Sequence, residues 1–546
     1  MAVQNLSGLS SGIDWQQLID LQIELKSATL NTLSTKRSNE QRKLTSWNSI
    51  ENALDTLKSA ANTIATSSGF VAKATASSDS TIVSLNADET AVNANHSIII
   101  NQLARTEVEM HAGWADDDTT AVNSSGIDQT FSYIYDGDTV TITIPTGTTL
   151  EGLVGLINGD SDNSGIVASI INDGSGSATA YHLILSGEST GADYDISFND
   201  AGTTLGPTGN EFKTATFTET QSAQNSQFRL DGVPPASWIE SSSNDVSDAL
   251  PGVTLHLKAT TATPVSVSIS QDNSTIKLRV QRFVEAYNAA VEQTKMFSSY
   301  DTETKTSGVL LGDANLATVQ GNLQSIVSSA FGGMPGGSNY TSLASIGIIP
   351  SGEGELTVDS TALEDALNAS ISDVTALFAF TTESTNSALT HIGHTSNTVG
   401  GEYVVVATYD AGGLLDGSGT NTIGSYPATI ENGNTLVGKT GSPVEGLRIF
   451  FNNPGGGPNT LNATVRIGKG AAVQFADTIT RLTDDDGGTT ASAIDTLNSM
   501  IESLDNRITE ERDRLDEARA ALSRRYTQYE QMISQLNSQM SQLKAT

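Results

Sequence analysis

The apolar positions of this chain keep two periods, and the switches between them divide it. Towards the end, Ile494, Ile501, Ile508, Leu515, Leu522, Tyr529, Leu536 and Leu543 recur every seven residues. Leu497, Leu504, Glu511, Ala518, Arg525, Met532 and Gln539 interleave with them, so the seam is apolar at first and polar at three later places. A seven-residue repeat of this length predicts a coiled-coil helix, because such a repeat holds one stripe against a partner. The polar seam positions Glu511, Arg525 and Gln539 suit a looser or higher-order bundle better than a dry two-stranded coil.

The opening stretch is less regular but also helical. Leu18, Leu21 and Leu25 form one apolar stripe, and Trp47, Ile50, Leu54, Leu57, Ala61 and Ile64 form a second at spacings of three and four. No Pro or Gly interrupts residues 13–68, which predicts a continuous helix closed by Gly69. Trp15 and Trp47 fall among these apolar positions and read as packing residues rather than ligand-stacking ones.

From about 76 to 272 the period becomes two. Thr81–Leu85, His96–Ile100, Thr139–Ile144, His182–Leu185 and Val265–Ile269 alternate or run apolar, with turn residues between them such as Asp173-Gly174 and Asp231-Gly232. Helical spacing returns at 273–298, 312–331 and 360–378. Residues 400–468 are again strands and Gly-rich turns. Helix at both ends with β structure between predicts a discontinuous stalk that carries inserted heads.

Charge sharpens that division. The chain has 62 acidic and 28 basic residues, a net charge of −34. Residues 1–75 hold 7 bases and 6 acids, residues 501–546 hold 7 and 8, and the middle holds 14 and 48. The ends are therefore near neutral and fit to pack together, while the middle repels a phosphate backbone, which excludes nucleic acid as a partner. There is no cysteine, so disulfides and thiolate chemistry are absent. No run of about 18 apolar residues exists, so no membrane insertion is expected. The opening MAVQNLSGLSSG has neither a basic nor an apolar signal region, so no cleaved signal peptide is expected.

Several segments resemble one family in its own order. GLSSGIDWQQLIDLQIELKSATL at 8–30 is similar to the flexible lead and first helix of the bacterial flagellar filament cap proteins, the hook-associated protein 2 family. DGVPPASWIESSSNDVSDALPGVTLHLKAT at 231–260 resembles the closing strands of their head, and RFVEAYNAAVE at 282–292 the return helix. GVLLGDANLATV at 308–319, SLASIGI at 342–348 and GELTVDSTALEDAL at 354–367 resemble the helical segment that follows. Residues 139–198 are similar to the small β-α module of flagellar axial proteins. The departure is roughly 398–470, an extra β-rich stretch where many members have a short link.

The resemblance implies a ring of several copies at the distal, extracellular tip of the flagellum. Its helical legs would touch flagellin subunits, and subunits would fold beneath a plate of β heads. It also implies type III export, an export chaperone as partner, and contact of the heads with a surface or host ligand. The expected fold is α+β and multidomain. A terminal coiled-coil leg (1–45 and 505–546) adjoins a helical leg domain (46–75, 273–397 and 471–504). One β-rich head spans 76–115 and 215–272, a second spans 116–214, and the β-rich insertion spans 398–470. Leu18, Leu21, Leu25, Ile494, Leu497, Ile501, Leu504, Ile508, Leu515, Leu522, Tyr529, Leu536 and Leu543 are the expected coiled-coil and assembly residues. Other readings are a surface adhesin with acidic heads on a stalk, and a junction protein with helical termini.

No constellation for catalysis converges, so neither enzyme, cofactor nor metal is expected. Residues 433–440, GNTLVGKT, match the phosphate-loop pattern, but Gly441 and Pro443 follow at once, where a helix should begin. A turn between strands is the expected structure there. Gly8-Leu9-Ser10-Ser11-Gly12 has nucleophile-elbow spacing without a preceding strand. His391 and His394 have helical spacing but no third ligand nearby, and read as solvated helix surface. Asp116-Asp117-Asp118 and Asp484-Asp485-Asp486 lack the Gly and Glu of a calcium loop.

Overall fold

Helices form where spacings of three, four and seven dominate, and strands where the period is two. The computed structural model describes residues 11–334, 338–352, 354–453 and 459–545. Among these the helices are α1 (Trp15–Lys26), α2 (Ala28–Ile64), α3 (Ser67–Phe70), α4 (Leu150–Gly159), α5 (Asn273–Ser298), α6 (Ala314–Ser328), α7 (Ser360–Ala369), α8 (Ile371–Phe378), α9 (Ala471–Leu482) and α10 (Thr489–Ala545). The chain divides into two compact units, Met1–Phe70 with Asn273–Thr546, and Val71–Asp272.

In the first unit α2 lies against α5, α9 and α10. Its stripe Trp47, Ile50, Leu54, Leu57, Ala61 and Ile64 is almost wholly excluded from solvent. Phe475 of α9 meets Phe283 and Tyr287 of α5 edge-on, each with ring centroids 5.5 Å apart, and Phe70 stacks on Phe378. Aromatic pairs of this kind stabilise by about 0.5–1.5 kcal/mol beyond the area they bury. Helix starts are capped where the sequence provides a short oxygen: Asp14 accepts from Gln17 N, Asp313 from Leu316 N, and Asp359 from Ala362 N.

The first helix is not continuous. It breaks between Lys26 and Ala28, where Ser27 N donates to both Ile23 O and Glu24 O and the Ser27 hydroxyl to Glu24 O. Ser27 keeps right-handed helical backbone angles, so the break is a single tightened turn made without a Pro or Gly. Nor does Gly69 close the helix by a left-handed conformation. It sits inside the short α3, where a Cβ would strike the carbonyl of Thr63. Close approach, not positive φ, accounts for glycine there.

The unit Val71–Asp272 holds two β cores. A five-stranded sheet in the order Lys73–Ser77, Val265–Gln271, Ala94–Gln102, Ser226–Leu230, Ile239–Ser241 shares one core with a three-stranded sheet of Asp245–Leu250, Val253–Leu257 and Val83–Ala87. The second core lies among a four-stranded sheet (Phe217–Gln221, Val108–His111, Tyr181–Gly187, Ile166–Asn172), a three-stranded sheet (Asp138–Ile144, Gln129–Tyr135, Ser197–Phe198) and α4. This unit carries 26 acids against 5 bases, most of the excess negative charge of the chain.

The extra β-rich stretch is an eight-stranded sheet in the order Phe380–Ser384, Asn459–Lys469, Gly401–Tyr409, Thr422–Ile423, Tyr426–Glu431, Thr435–Gly438, Arg448–Phe451, Leu389–Gly393. It curls like a barrel round one core that includes Val405, Ile449 and Ile467. The sheet reaches back to Phe380, further than the 398–470 span read from the sequence, because the strands Phe380–Ser384 and Leu389–Gly393 complete it. His391 therefore lies on a strand, not on a helix surface. The ring of His394 stacks on Phe380 with centroids 4.0 Å apart, so neither histidine is solvated helix.

Candidate assembly interface

The two ends of the chain lie side by side. Arg37 pairs with Asp505 at 3.0 Å, Asp20 with Arg519, and Trp15 stacks on Tyr526, so positions rise along one strand of the pair as they fall along the other. The helices α1 and α2 thus run antiparallel to α10. The far end of the pairing is polar as well as aromatic. The Trp15 indole N–H donates to Glu530 at 2.7 Å, the Ser11 hydroxyl donates to the same carboxylate oxygen at 2.5 Å, and Gln22 donates to the Tyr526 hydroxyl.

Of the expected interface residues, Leu497, Ile501, Ile508 and Leu515 are buried, and Ile494, Leu504 and Leu522 half-buried. Leu18, Leu21 and Leu25 are not brought into this contact. Leu21 is 55% and Leu25 75% exposed, and the face of α1 that packs is Trp15, Ile19 and Ile23. On α10 the heptad positions Tyr529, Leu536 and Leu543 are also outward, Leu536 being 54% and Leu543 76% exposed. The ends therefore present an unburied apolar set on both helices, joined on α10 by Met532 and Met540.

The seam leaves the heptad because α10 follows its natural pitch. Buried positions run Leu497, Ile501, Ile508, Glu511, Leu515 and then Tyr526, about 3.6 residues per turn rather than the 3.5 of a supercoiled seam. Over four heptads that drift moves the buried line by roughly one position. Tyr526, Glu530 and Ile533 take the inner face while Tyr529 turns outward. The i, i+4 spacing of Trp15, Ile19 and Ile23, with Leu522, Tyr526 and Glu530 at the same spacing, was the available signal.

The other candidates resolve into scaffold. Residues 433–440 are not only the expected turn: after Asn432 and Gly433 at φ 52° and 77°, Thr435–Gly438 is itself a strand paired with Tyr426–Glu431, and no helix begins at Lys439. Glu445 accepts from Gly441 N at 2.6 Å, which occupies an amide of the supposed phosphate cradle. Residues 8–10 of the elbow-like segment lie outside the described residues. Asp116 is consumed locally: the Thr120 hydroxyl first, then the amides of Thr120 and Thr119, donate to it and hold its pKa well below the usual range. Among the described residues no group of three ligand side chains is placed to hold a metal, and no helix is long and apolar enough to cross a membrane.

One chemically unusual group went unpredicted. Glu107 and Glu109 are both buried on the strand Val108–His111 and its approach, and Glu109 lies opposite Glu219. Burial first, then Glu107 and Glu219, push the Glu109 carboxyl up to about 7, and its Oε2 lacks a hydrogen-bond partner. An acid in an acidic sequence looks like surface, and only the tertiary fold puts it inside.

Comparison with known proteins places these features. The family model described as "Flagellar hook-associated protein 2 C-terminus" matches residues 223–538, and that for the N-terminus of the same protein matches residues 11–107. The chain is 29% identical over 398 residues to flagellar hook-associated protein 2 of Escherichia coli (strain K12), covering 69% of this chain and 80% of that one. It is 28% identical over 400 residues to the B-type flagellar hook-associated protein 2 of Pseudomonas aeruginosa, covering 68% and 81%. The crystal structure of three domains of the flagellar cap protein from Escherichia coli has the same fold, with a TM-score of 0.56 at 23% identity over 82% of this chain and 99% of that one.

Proposed function

This chain belongs to the flagellar hook-associated protein 2 family, and from that premise we propose that it caps the growing flagellar filament at its extracellular tip. Several copies form a ring, retain exported flagellin and promote its polymerisation. The role is structural and calls for no chemistry. The terminal coil and the helices of the first unit act as leg, and the β cores of Val71–Asp272 as head. The carrying observation is the coil itself, which buries one face in pairing its own two ends and leaves Leu21, Leu25, Leu536 and Leu543 outward. Apolar side chains displayed along a helix call for a helical partner. Neighbouring copies and flagellin are the partners that fit, with an export chaperone covering the same stripe before release.

Deletion of the gene tests this reading, with monomeric flagellin in the medium measured beside filament length. Leaked flagellin with short or absent filaments is the expected result. Normal filaments without leakage overturn it and favour an adhesin whose acidic heads meet a surface.

A further inference from the structure

The inserted barrel joins the helical body through a two-stranded stem. Phe380–Ser384 leaves directly after α8, Asn459–Lys469 returns directly into α9, and Phe380 lies opposite Lys469 in the pair. At the foot of this stem the Lys469 side chain is only 4% exposed. Its ammonium meets the carboxylate of Asp477 on α9. It also donates to three carbonyls of the loop after Leu389–Gly393: Thr398 at 2.7 Å, Thr395 at 3.3 Å and Ser396 at 3.4 Å. A buried ammonium is tolerated only when it is paired and hydrogen-bonded, and Lys469 has both a carboxylate and a close carbonyl within reach.

The backbone at the stem leaves little room. Gly470 approaches the backbone of Phe378 too closely for any Cβ, and Gly333, beyond α6, does the same against Ile467 O. Beside these contacts the packing opens. A cavity of about 340 Å³ separates the 396–400 loop from α9, lined by Ser329, Asn397, Thr398, Gln474, Asp477 and Arg481. Lys469 reaches along one wall of that gap. Desolvation lowers the Lys469 pKa and raises that of Asp477, while their contact opposes both shifts, as in an ion pair closed off from water.

We propose that Lys469 is the latch that fixes the attitude of the inserted barrel on the helical body, gripping α9 and the 395–398 loop at once. The barrel is then a rigid outgrowth of the leg, displayed at a set angle, rather than a module swinging on a tether.

The chain has no cysteine, so two introduced ones can be labelled without interference. Spin labels at Ser59→Cys on α2 and Thr429→Cys on the barrel, both exposed positions, report the angle by pulsed dipolar spectroscopy on the full chain. The parent is expected to show one narrow distance. Lys469→Met should replace it with a broad or split distribution while hydrogen exchange across Gly401–Tyr409 stays slow, showing that the barrel remains folded. Asp477→Asn, which keeps the ammonium and its carbonyl contacts, should broaden it less. A broad parent distribution, or a Lys469→Met distribution as narrow as the parent's, overturns the latch. If Lys469→Met does not fold, Asp477→Asn decides, and an unchanged distance in that variant overturns it.

Discussion

Trp15 lies flat against Tyr526, their ring centroids 4.9 Å apart and their planes within 19°, and the indole N–H of the same tryptophan reaches Glu530. This aromatic and charged contact fastens the first helix to the last. Trp15→Ala should remove it at a local cost of about 3 kcal/mol. Amide hydrogen exchange across Trp15–Lys26 should accelerate while α2 beyond Trp47 stays protected. Unchanged protection of α1 would mean that Ile19 and Ile23 suffice to hold it.

The outward leucines should matter to assembly and not to the monomer. Leu21→Gln with Leu536→Gln should change unfolding by no more than ~1 kcal/mol in sum, since neither side chain is buried. The same double variant should fail to restore filament growth to a deletion strain. Full restoration would remove the stripe from the assembly surface.

Glu109 makes the head sensitive to alkali. Its folded pKa of about 7 stands above the ordinary 4.5 because of burial, then Glu107 and Glu219. A group raised in this way contributes stability that is fully present below its unfolded pKa and is lost as pH rises through about 7. Glu109→Gln should abolish that loss, stabilising the head above neutrality by at most ~3 kcal/mol. Thermal unfolding at pH 5 and pH 8.5 measures it, and equal pH dependence in variant and parent would refute the assignment.

The inserted barrel should respond in the opposite sense. Burial, then Lys469 and His391, hold the His394 pKa down at about 4 against an ordinary 6.5. A base depressed in this way contributes stability present above its unfolded pKa and lost as pH falls towards 4. His394→Phe, which keeps a ring on Phe380, should flatten the acid side of the barrel transition. Differential scanning calorimetry should then show the head and barrel transitions moving in opposite directions with pH in the parent chain.

Much of the scaffold was legible because it depends on local period. The α2 stripe from Trp47 to Ile64 and the seam from Leu497 to Leu515 follow from spacing alone. What spacing could not reveal was competition between periods. Tyr526 displaced Tyr529 because α10 keeps its own pitch, and Ile19 displaced Leu18 because Trp15 chose the inner face. His391 and His394 were misread because two residues of helical spacing also fit a strand and its exit, and strand pairing with Arg448–Phe451 decided the matter. Glu109 and Lys469 were invisible for another reason: a buried charge is defined by what the fold brings around it.

The antiparallel pairing of α1 with α10 also sets an order in time. The first helix and the last are partners across almost the whole length of the chain, the costliest kind of closure for a folding polypeptide. Whichever end of the chain becomes free first, its helix must wait, with one apolar face uncovered, until nearly everything else has followed. The clasp at Trp15, Tyr526 and Glu530 is therefore late to shut, since it needs both helices and all the residues that separate them.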